Sequence, residues 1–366
     1  VGPSLGAEAI QASMRSFLVA LFIVLLYMMF YYSQAGGVAD FALLANMFFL
    51  IGVLASLQAA LTLPGIAGIV LTIGMSVDAN VLIYERIREE LIAGKGIKLA
   101  ISDGYKNAQS AIIDANVTTL LTGIILLVFG TGPIKGFATT LVIGISTSLF
   151  SAIFITRLVY ERMLTKNRKI TFATKLTENF FRNSHVKFID NRKTFYVISG
   201  IIVVAGVISL FIRGLNQGID FKGGRTYVVK FEEPVSTSDI QQSLETVFGE
   251  PPEVITFGAS NQVRISTKYK IDEDAVEVDE EVEQLLYEGL KPYIGDNVSF
   301  ETFLTDYRQS SQKVGPTIAD DIKVQAVWAI LFALVVIFIY ILIRFRNWQY
   351  GLGAVVALMH DVLIIL

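Results

Sequence analysis

Two carboxyl groups lie within long apolar stretches of this 366-residue chain. Asp78 belongs to the segment Gly74–Tyr84, which carries no other charge, and Asp361 follows an apolar run that starts near Tyr350. If both stretches are helices that enter a membrane from the same side, Asp78 lies about 10 Å and Asp361 about 16 Å below the surface. Hydrocarbon favours the neutral acid and a nearby cation favours the carboxylate, which is the competition that a proton carrier needs. We therefore predict that both relay protons; carboxyl groups that only hydrogen-bond to neighbouring helices are the alternative.

Four polar residues lie close to these carboxyl groups in the sequence or are expected at a similar depth in the membrane: Asn80, Asn116, Thr119 and His360. His360 could titrate near neutral pH, although a packing role is equally consistent with its place. The two residues at 116 and 119 are typical of hydrogen bonds that pack membrane helices. The chain has two histidines and no cysteine, which argues against metal sites and histidine-based triads. We expect no enzymatic activity and no cofactor, with protons as the coupling ion.

The composition indicates that apolar helices carry these residues. Charged residues make up 17% of the chain and the mean hydropathy is +0.57, whereas soluble domains carry about 25% charged residues. Because a spanning helix needs about 20 apolar residues, the uncharged runs predict spans near 16–36, 41–61, 65–84, 112–130, 137–157, 194–212 and 324–343, and an eighth from Tyr350. Lys and Arg concentrate in 85–110, 161–193 and 344–346, which the positive-inside rule places in the cytoplasm. We expect Gly94–Ile113 to form a separate amphipathic helix at that interface.

One long polar stretch, residues 214–313, interrupts the spans and carries 9 basic and 19 acidic residues. Its apolar periodicity predicts strands at 226–231, 254–257, 262–267 and 298–304, and helices at 238–248 and 275–290. The order βαββαβ is typical of a ferredoxin-like domain. Counting spans from the basic loops places this domain outside the cytoplasm.

A short motif occurs twice, each time before an apolar span. Val-Gly-Pro-Ser at residues 1–4 precedes the first span, and Val-Gly-Pro-Thr at residues 314–317 precedes the seventh. Further along, residues 43–46 lie opposite residues 358–361. Two membrane halves in the same orientation are typical of transporters, whose sites lie at the repeat interface. A structural duplication without a transport role is the alternative.

Three motifs resemble one protein family. Residues 74–90, which include Glu85 and Arg86, resemble the signature of SecD. Residues 218–224, which include Asp220, Gly223 and Gly224, resemble the turn after the first SecF helix, and residues 358–362 resemble a SecF helix entry. Taken along the whole chain, they resemble a fragment of a fused SecDF protein-export membrane protein of the resistance-nodulation-division superfamily.

This resemblance implies a polytopic α-helical membrane protein with eight spans in two pseudo-repeated halves and one ferredoxin-like α+β extracytoplasmic domain. It divides the chain into a SecD-like region of five helices at 1–165, a basic cytoplasmic linker at 166–193, a first SecF-like helix at 194–213, the periplasmic domain at 214–313, and two further SecF-like helices at 314–366. The protein would lie in the bacterial inner membrane.

The family's role would be to assist the SecYEG channel, SecA and accessory Sec membrane subunits. The proton-motive force would then drive late steps of export of a translocating preprotein; membrane lipid is the other expected contact, and no nucleic acid is expected. Asp78 and Asp361 would occupy the positions of family carboxylates, with an arginine partner on a later helix that this chain does not reach. The large first external domain would also lie outside it, so we expect no activity from these residues alone.

Two other functions fit parts of the sequence. A proton-coupled exporter of lipids or small molecules from the same superfamily would usually carry much larger paired external domains than the one of about 100 residues seen in this chain. A scaffold that stabilises the translocon without transporting protons is the other alternative.

Overall fold

The computed structural model describes residues 3–59, 62–178, 187–215, 221, 223–273, 276–295 and 297–365. Contacts divide the chain into two compact units. One unit combines residues 1–12 with 215–327, and the other combines residues 13–214 with 328–366. The first contains the polar domain and the second contains most of the apolar helices.

Eight helices in the described residues are long and apolar enough to cross a membrane, so the chain is a multi-pass membrane protein as predicted. The helices of the first membrane half are α1 (Pro3–Tyr32), α2 (Gln34–Ser56), α3 (Leu63–Ile92), α4 (Ile97–Phe129), α5 (Gly132–Phe150) and α6 (Thr156–Thr165), with a π-helical turn at Ser151–Ile155 between the last two. The second half contributes α7 (Arg192–Arg213), α10 (Pro316–Phe345) and α11 (Trp348–Ile365). Helices α1 and α10 each begin at the proline of the repeated motif and have 30 residues, which matches the predicted repeat.

The break between the first two spans lies earlier than predicted. Only Ser33 separates α1 from α2, whereas the uncharged runs placed the break near residues 37–40. Gly36 lies so close to the end of α1 that a Cβ atom there would be 2.0 Å from the Met28 carbonyl oxygen. This close approach lets the chain turn at Ser33, so Asp40 lies inside α2 and not between two spans.

Small residues bring α3 and α5 together. Gly136, Thr140 and Gly144 repeat at every fourth position of α5 and face α3. A Cβ atom at Gly144 would lie 2.3 Å from the Thr72 Oγ1 atom, and one at Gly68 would lie 2.2 Å from the Thr140 Oγ1 atom. Such close backbone approach is the usual way in which membrane helices pack. The contact fixes the helix that carries Asp78.

Helix α4 corrects the prediction of a separate interfacial helix at 94–113. Ile97–Phe129 is one continuous helix of 33 residues. Gly104 packs against α3, where an added Cβ atom would lie 3.0 Å from the Ile87 backbone nitrogen. The charged first turns of α4 therefore extend the span, because tertiary contact with α3 holds them in line with its apolar part.

The segment that follows α6 packs against the helix ends of the first half. Phe172 is 3% exposed, the Thr171 carbonyl accepts a hydrogen bond from the Ala35 backbone N–H at 3.1 Å, and the Thr177 hydroxyl donates to the Tyr31 carbonyl at 2.7 Å. Arg88 of α3 donates to the Thr177 carbonyl at 3.0 Å. The first part of the basic segment 166–193 is therefore a docked strap, while residues 179–186, including His185, lie outside the described residues.

The polar domain has the predicted ferredoxin-like topology. Its antiparallel sheet has the order β2-β3-β1-β4, from the strands β1 (Gly224–Lys230), β2 (Glu253–Phe257), β3 (Ala259–Thr267) and β4 (Arg308–Val314), and its helices are α8 (Thr237–Phe248) and α9 (Val276–Ile294). The two helices contribute Leu244 and Leu286 to a core that also contains Tyr227 and Val263.

The prediction for the fourth strand was wrong. Residues 298–304 were predicted as a strand, but Ser299 accepts a hydrogen bond from the Thr302 backbone N–H at 3.2 Å and starts a helical turn, in which Phe303 is fully buried. The strand is the polar segment Arg308–Val314, which pairs with β1. Its apolar alternation is weak because pairing with a central strand, and not burial of its side chains, holds it in the sheet.

Candidate functional site

Asp78 lies on the outward face of α3. Ser76 and Asn80, one turn apart, are 4% and 2% exposed and point into the helix bundle. Asp78 lies between them in sequence and is exposed on the opposite face. No hydrogen-bond donor or cation contacts its carboxylate among the described residues. The predicted proton-relay residue is therefore available to a group outside the part of the chain that the structure describes.

The buried face of α3 next to Asp78 is polar. The Asn46 amide of α2 donates to the Ser76 hydroxyl at 2.6 Å, and the Asn80 amide donates to the Ser76 carbonyl at 3.3 Å. The structure thus places Asn80 as a support of α3 and not beside the Asp78 carboxylate. Asn46, which the sequence did not single out, is the residue that ties this turn of α3 to α2.

Asp361 lies in a small cluster of polar side chains between α11 and α7. The His360 Nδ1 and Asp361 Oδ1 atoms are 3.0 Å apart, and the His360 Nε2 atom contacts the Ser199 hydroxyl of α7. The Asp361 side chain remains 70% exposed. The predicted pair of His360 and Asp361 is thus brought together, and Ser199 joins it. Ser199 carried no signal in the sequence, since a lone serine in an apolar helix is ordinary.

Asn116 and Thr119 bond to their own helix. The Asn116 amide donates to the Ile112 carbonyl at 2.8 Å, and the Thr119 hydroxyl donates to the Ala115 carbonyl at 2.9 Å. Such bonds satisfy polar groups within one membrane helix. Neither side chain bonds to a neighbouring helix among the described residues, so the predicted packing hydrogen bonds stay a prediction.

The charged end of α3 is a network of ion pairs. Glu85 accepts hydrogen bonds from the Tyr32 hydroxyl at 2.9 Å and from Arg88 at 2.8 Å. Arg86 pairs with Glu89 at 2.6 Å, an exposed i,i+3 pair.

Two further motif residues lie at the start of β1: Gly223 precedes the strand and Gly224 is its first residue. Gly223 and Gly224 have φ angles of 75° and 155°, and a Cβ atom at Gly223 would lie 3.2 Å from the Val314 carbonyl oxygen. This is the glycine turn into the first strand that the sequence predicted. Asp220 lies outside the described residues.

An ion pair that the sequence did not predict joins the two membrane halves. The Arg344 Nε atom of α10 lies 2.7 Å from the Asp114 Oδ1 atom of α4, and the Tyr340 hydroxyl donates to the same oxygen at 2.8 Å. Farther along the same two helices the rings of Phe129 and Phe332 stack with centroids 5.2 Å apart. The position of Asp114 beside a long uncharged run was the available signal.

Models of one protein family match this chain in two places. The family described as protein export membrane protein SecD/SecF, C-terminal, matches residues 1–166 and 297–366, more than half of the chain. The chain belongs to the SecD/SecF family. A second model, the SecD/SecF GG motif, matches residues 208–235, which include Gly223 and Gly224. The C-terminal model of the SecD/SecF family thus matches parts of both membrane halves, and its second match begins within the sheet domain and includes β4.

Members of the SecD/SecF family from several bacteria are similar to the chain. It is 30% identical to the protein translocase subunit SecDF of Bacillus subtilis over 99% of this chain and 49% of that protein. The protein translocase subunit SecD of Rhodothermus marinus is 57% identical over 46% of this chain and 27% of its own length. The chain therefore spans about half or less of the curated relatives that it matches.

A solved SecDF structure has the same fold. The crystal structure of SecDF, a translocon-associated membrane protein from Thermus thermophilus, matches with a TM-score of 0.83 and 31% identity, and covers all of this chain and 47% of the solved one. A structure of SecDF in the super-membrane-facing form matches with a TM-score of 0.70 and 30% identity, over 100% of this chain and 47% of that one. These matches confirm the predicted polytopic fold.

Proposed function

We propose that this chain is part of an auxiliary subunit of the Sec protein translocase, which uses the proton-motive force to drive late steps of preprotein export across the bacterial inner membrane. The observation that supports it most directly is Asp78: a carboxylate in the middle of a membrane helix, with no partner among the described residues, in a chain of the SecD/SecF family. A charged group at such a depth is costly, so it is usually retained only where it serves a function.

The mechanism that we propose is an exchange of partners. A proton that arrives from outside neutralises Asp78 and releases it from an arginine of the other half. The halves then shift, and the extracytoplasmic domain at 214–313 moves with them. Release of the proton to the cytoplasm resets the site. Because one charge that crosses 100 mV supplies only about 2.3 kcal/mol, we propose that several protons move in each stroke.

The proposed contacts follow the same role. The subunit would act beside the SecYEG channel, SecA and accessory Sec membrane subunits, and would handle the translocating preprotein on the outer side, with lipid around its helices. We propose that it catalyses no covalent chemistry and needs no cofactor, with protons as its coupling ion.

The test is a set of substitutions at Asp78 in the protein in its native membrane. Asp78→Asn keeps the size of the side chain but cannot bind or release a proton, so we expect proton-dependent completion of preprotein export to fall at least about tenfold, with partial retention in Asp78→Glu. The control is Asp190→Asn, an exposed aspartate before α7. Export is followed in vesicles with an imposed pH gradient.

Each alternative function has its own outcome in this assay. Unchanged proton-dependent export in Asp78→Asn contradicts the proposal. If removal of the whole protein then still impairs export, a scaffold role is indicated. If the extracytoplasmic domain crosslinks to small molecules or lipids but never to preprotein, an exporter of those compounds is indicated.

A further inference from the structure

Asp40 is a buried carboxyl group that the mechanism above does not use. Its side chain lies inside α2 and is 8% exposed, and neither carboxyl oxygen has a hydrogen-bond partner among the described residues. The surrounding part of α2 is apolar, since Val38, Ala39 and Ala42 are also buried. Helix α2 contacts α3, α5, the π-helical turn and α6. Asp40 therefore lies within the bundle of the first membrane half.

Tyrosines are the titratable groups that the neighbouring helices bury at this end of the bundle. Val38 and Ala39, the two residues before Asp40, share one buried cluster with Tyr84 of α3. The Tyr84 ring lies 6.1 Å from that of Tyr160 on α6 and 5.3 Å from that of Tyr32 on α1. The ring of Tyr105, on α4, lies 6.3 Å from that of Tyr160. Among the described side chains, no lysine or arginine pairs with Asp40.

Helix α5 and the π-helical turn, which also pack on α2, carry no charged residue near the turn. The described part of α5 and the π-helical turn carries one charged residue, Lys135, at the opposite end of the helix from the turn. Ser148, near the end of α5, and Ser151, the first residue of the turn, are 2% exposed and have hydroxyl groups without a hydrogen-bond partner among the described residues. Polar groups left without partners in a membrane bundle are rare and call for an explanation. A π-helical turn within a helix is a frequent feature of functional sites.

A short route leads from this cluster to the charged end of α3. Tyr84 contacts Tyr32, and the Tyr32 hydroxyl donates to Glu85 at 2.9 Å. Glu85 in turn pairs with Arg88, which reaches the strap that follows α6. Asp78 lies on the opposite, exposed face of α3. The contacts that lead from Asp40 to the charged end of α3 therefore do not include Asp78.

An unpaired carboxylate is strongly disfavoured in such a place. Burial of a charge without a partner costs far more than burial of the neutral acid, so the group keeps its proton while the bundle is packed in this way. The carboxylate becomes favourable only when water or a donor reaches it. A change in packing of the bundle and a change in protonation of Asp40 are therefore linked, and each drives the other by the same free energy.

We propose that Asp40 is a second proton-binding site of the transport cycle, distinct from Asp78. Asp40 holds one proton on a carboxyl oxygen while α2, α3 and α6 are packed together. When the bundle opens, that O–H bond breaks and the proton leaves through water towards Glu85 and the helix end; a new proton binds before the bundle closes. Each cycle binds and releases one proton at Asp40, with no net change. This inference rests on the proposed proton-driven function.

Infrared spectroscopy of the intact protein in lipid bilayers tests the protonation of Asp40 without any export assay. In a background of Asp78→Asn and Asp361→Asn, which removes the signals of the two predicted proton-relay residues, aspartate labelled with carbon-13 should show a carboxylic acid C=O band at neutral pH. We expect Asp40→Asn to remove this band and Asp190→Asn to leave it unchanged. A band that persists in Asp40→Asn, or no band in the labelled protein with Asp40 intact, overturns the inference.

Export in vesicles with an imposed pH gradient tests the role of that proton. We expect proton-dependent export to fall at least about fivefold in Asp40→Asn, to recover partly in Asp40→Glu, and to change its pH profile in Asp40→Glu. Asp40→Leu, which packs as an apolar residue, checks stability: if it raises the unfolding temperature while export falls, the loss is not a folding defect. Unchanged export and pH profile in Asp40→Asn overturn the inference.

The two proposals fail in different ways. If neither Asp78→Asn nor collapse of the pH gradient affects export, the proton-driven function is wrong, whatever Asp40 does. If both reduce export while Asp40→Asn behaves as the unsubstituted protein does, only the second proton-binding site is wrong.

Discussion

The tight contact between α3 and α5 can be tested by adding a single methyl group. Gly144→Ala would place a Cβ atom 2.3 Å from the Oγ1 atom, 2.6 Å from the Cγ2 atom and 3.0 Å from the Cβ atom of Thr72. Thr72 is fully buried and its hydroxyl donates to the Gly68 carbonyl at 2.9 Å, so its side chain has no free direction in which to turn. The helices must separate, and α3, which carries Asp78, must move.

The size of the effect follows from these distances. Carbon atoms in contact settle near 3.5–4.0 Å, so the helix axes must part by about 1 Å at this crossing. Overpacking of this kind costs about 1–3 kcal/mol, which corresponds to a 5- to 150-fold change in the ratio of folded to unfolded protein. We expect a lower unfolding temperature for Gly144→Ala, together with weaker proton-dependent export, because both depend on where α3 sits.

Thermal unfolding in detergent, followed by size-exclusion chromatography, measures the stability of each variant. Gly52→Ala on α2 is the matched control, since a Cβ atom there meets nothing within 4 Å. The double variant Gly144→Ala with Thr72→Gly removes all three clashing atoms and should recover much of the loss, less the cost of a glycine within a helix. The reasoning is wrong if Gly144→Ala unfolds at the same temperature as Gly52→Ala, or if the double variant is no more stable than Gly144→Ala.

Two further predictions concern ion pairs outside the α3–α5 contact. Arg344→Gln removes the cation that pairs with Asp114, so cysteines placed at positions 129 and 332 should crosslink less in this variant and normally in Arg344→Lys; the chain has no cysteine of its own to interfere. In the sheet domain, partial burial raises the pKa of Asp279, but hydrogen bonds from Arg225 and Lys313 outweigh it and hold that pKa below its ordinary value. Because the folded domain then binds this proton less readily than the unfolded chain, the stabilisation is complete above about pH 4 and is lost as the pH falls through the folded pKa. Unfolding of the intact protein, followed by a probe in this domain between about pH 2 and 6, should show a flatter acid limb for Asp279→Asn.

The ion pair between Arg225 and Asp279 in the sheet domain also shows why contacts between distant residues could not be predicted from the sequence. Arg225 is 2% exposed and donates to Asp279 at 2.8 Å and to the Tyr269 carbonyl at 2.9 Å. The residues are 54 positions apart, and only the closed sheet brings them together. The order of strands and helices was predictable because apolar periodicity is local, whereas the position of β4 was not, because its polar residues are held by pairing with β1.

In the membrane halves, the number of spans was predictable and their exact ends were not. Long uncharged runs predict that a helix is present, but they tend to set its ends at the nearest charged residue. That rule placed Asp40 between two spans, although the turn at Ser33 puts it inside α2, and it left Asp114 at the edge of a span although it pairs with α10. The glycine pair at 36–37 lies within the first turns of α2, where Gly36 packs against the end of α1.

The repeat places the two predicted proton-relay residues at different positions of the two membrane halves. Residues 43–46 of α2 lie opposite 358–361 of α11, so Asp361 occupies the place of Asn46 and not that of Asp78. In the first half, Asn46 donates from its buried side chain to Ser76, and so links α2 to the helix that carries Asp78. A carboxyl group in the equivalent place can donate a hydrogen bond in the same way only while it is protonated, and its protonation state therefore controls such a link. The surroundings of the two carboxyl groups also differ: Asp78 has no partner among the described residues, whereas Asp361 lies beside His360, which contacts Ser199 of α7, so we expect substitutions at His360 to alter export through Asp361 and not through Asp78.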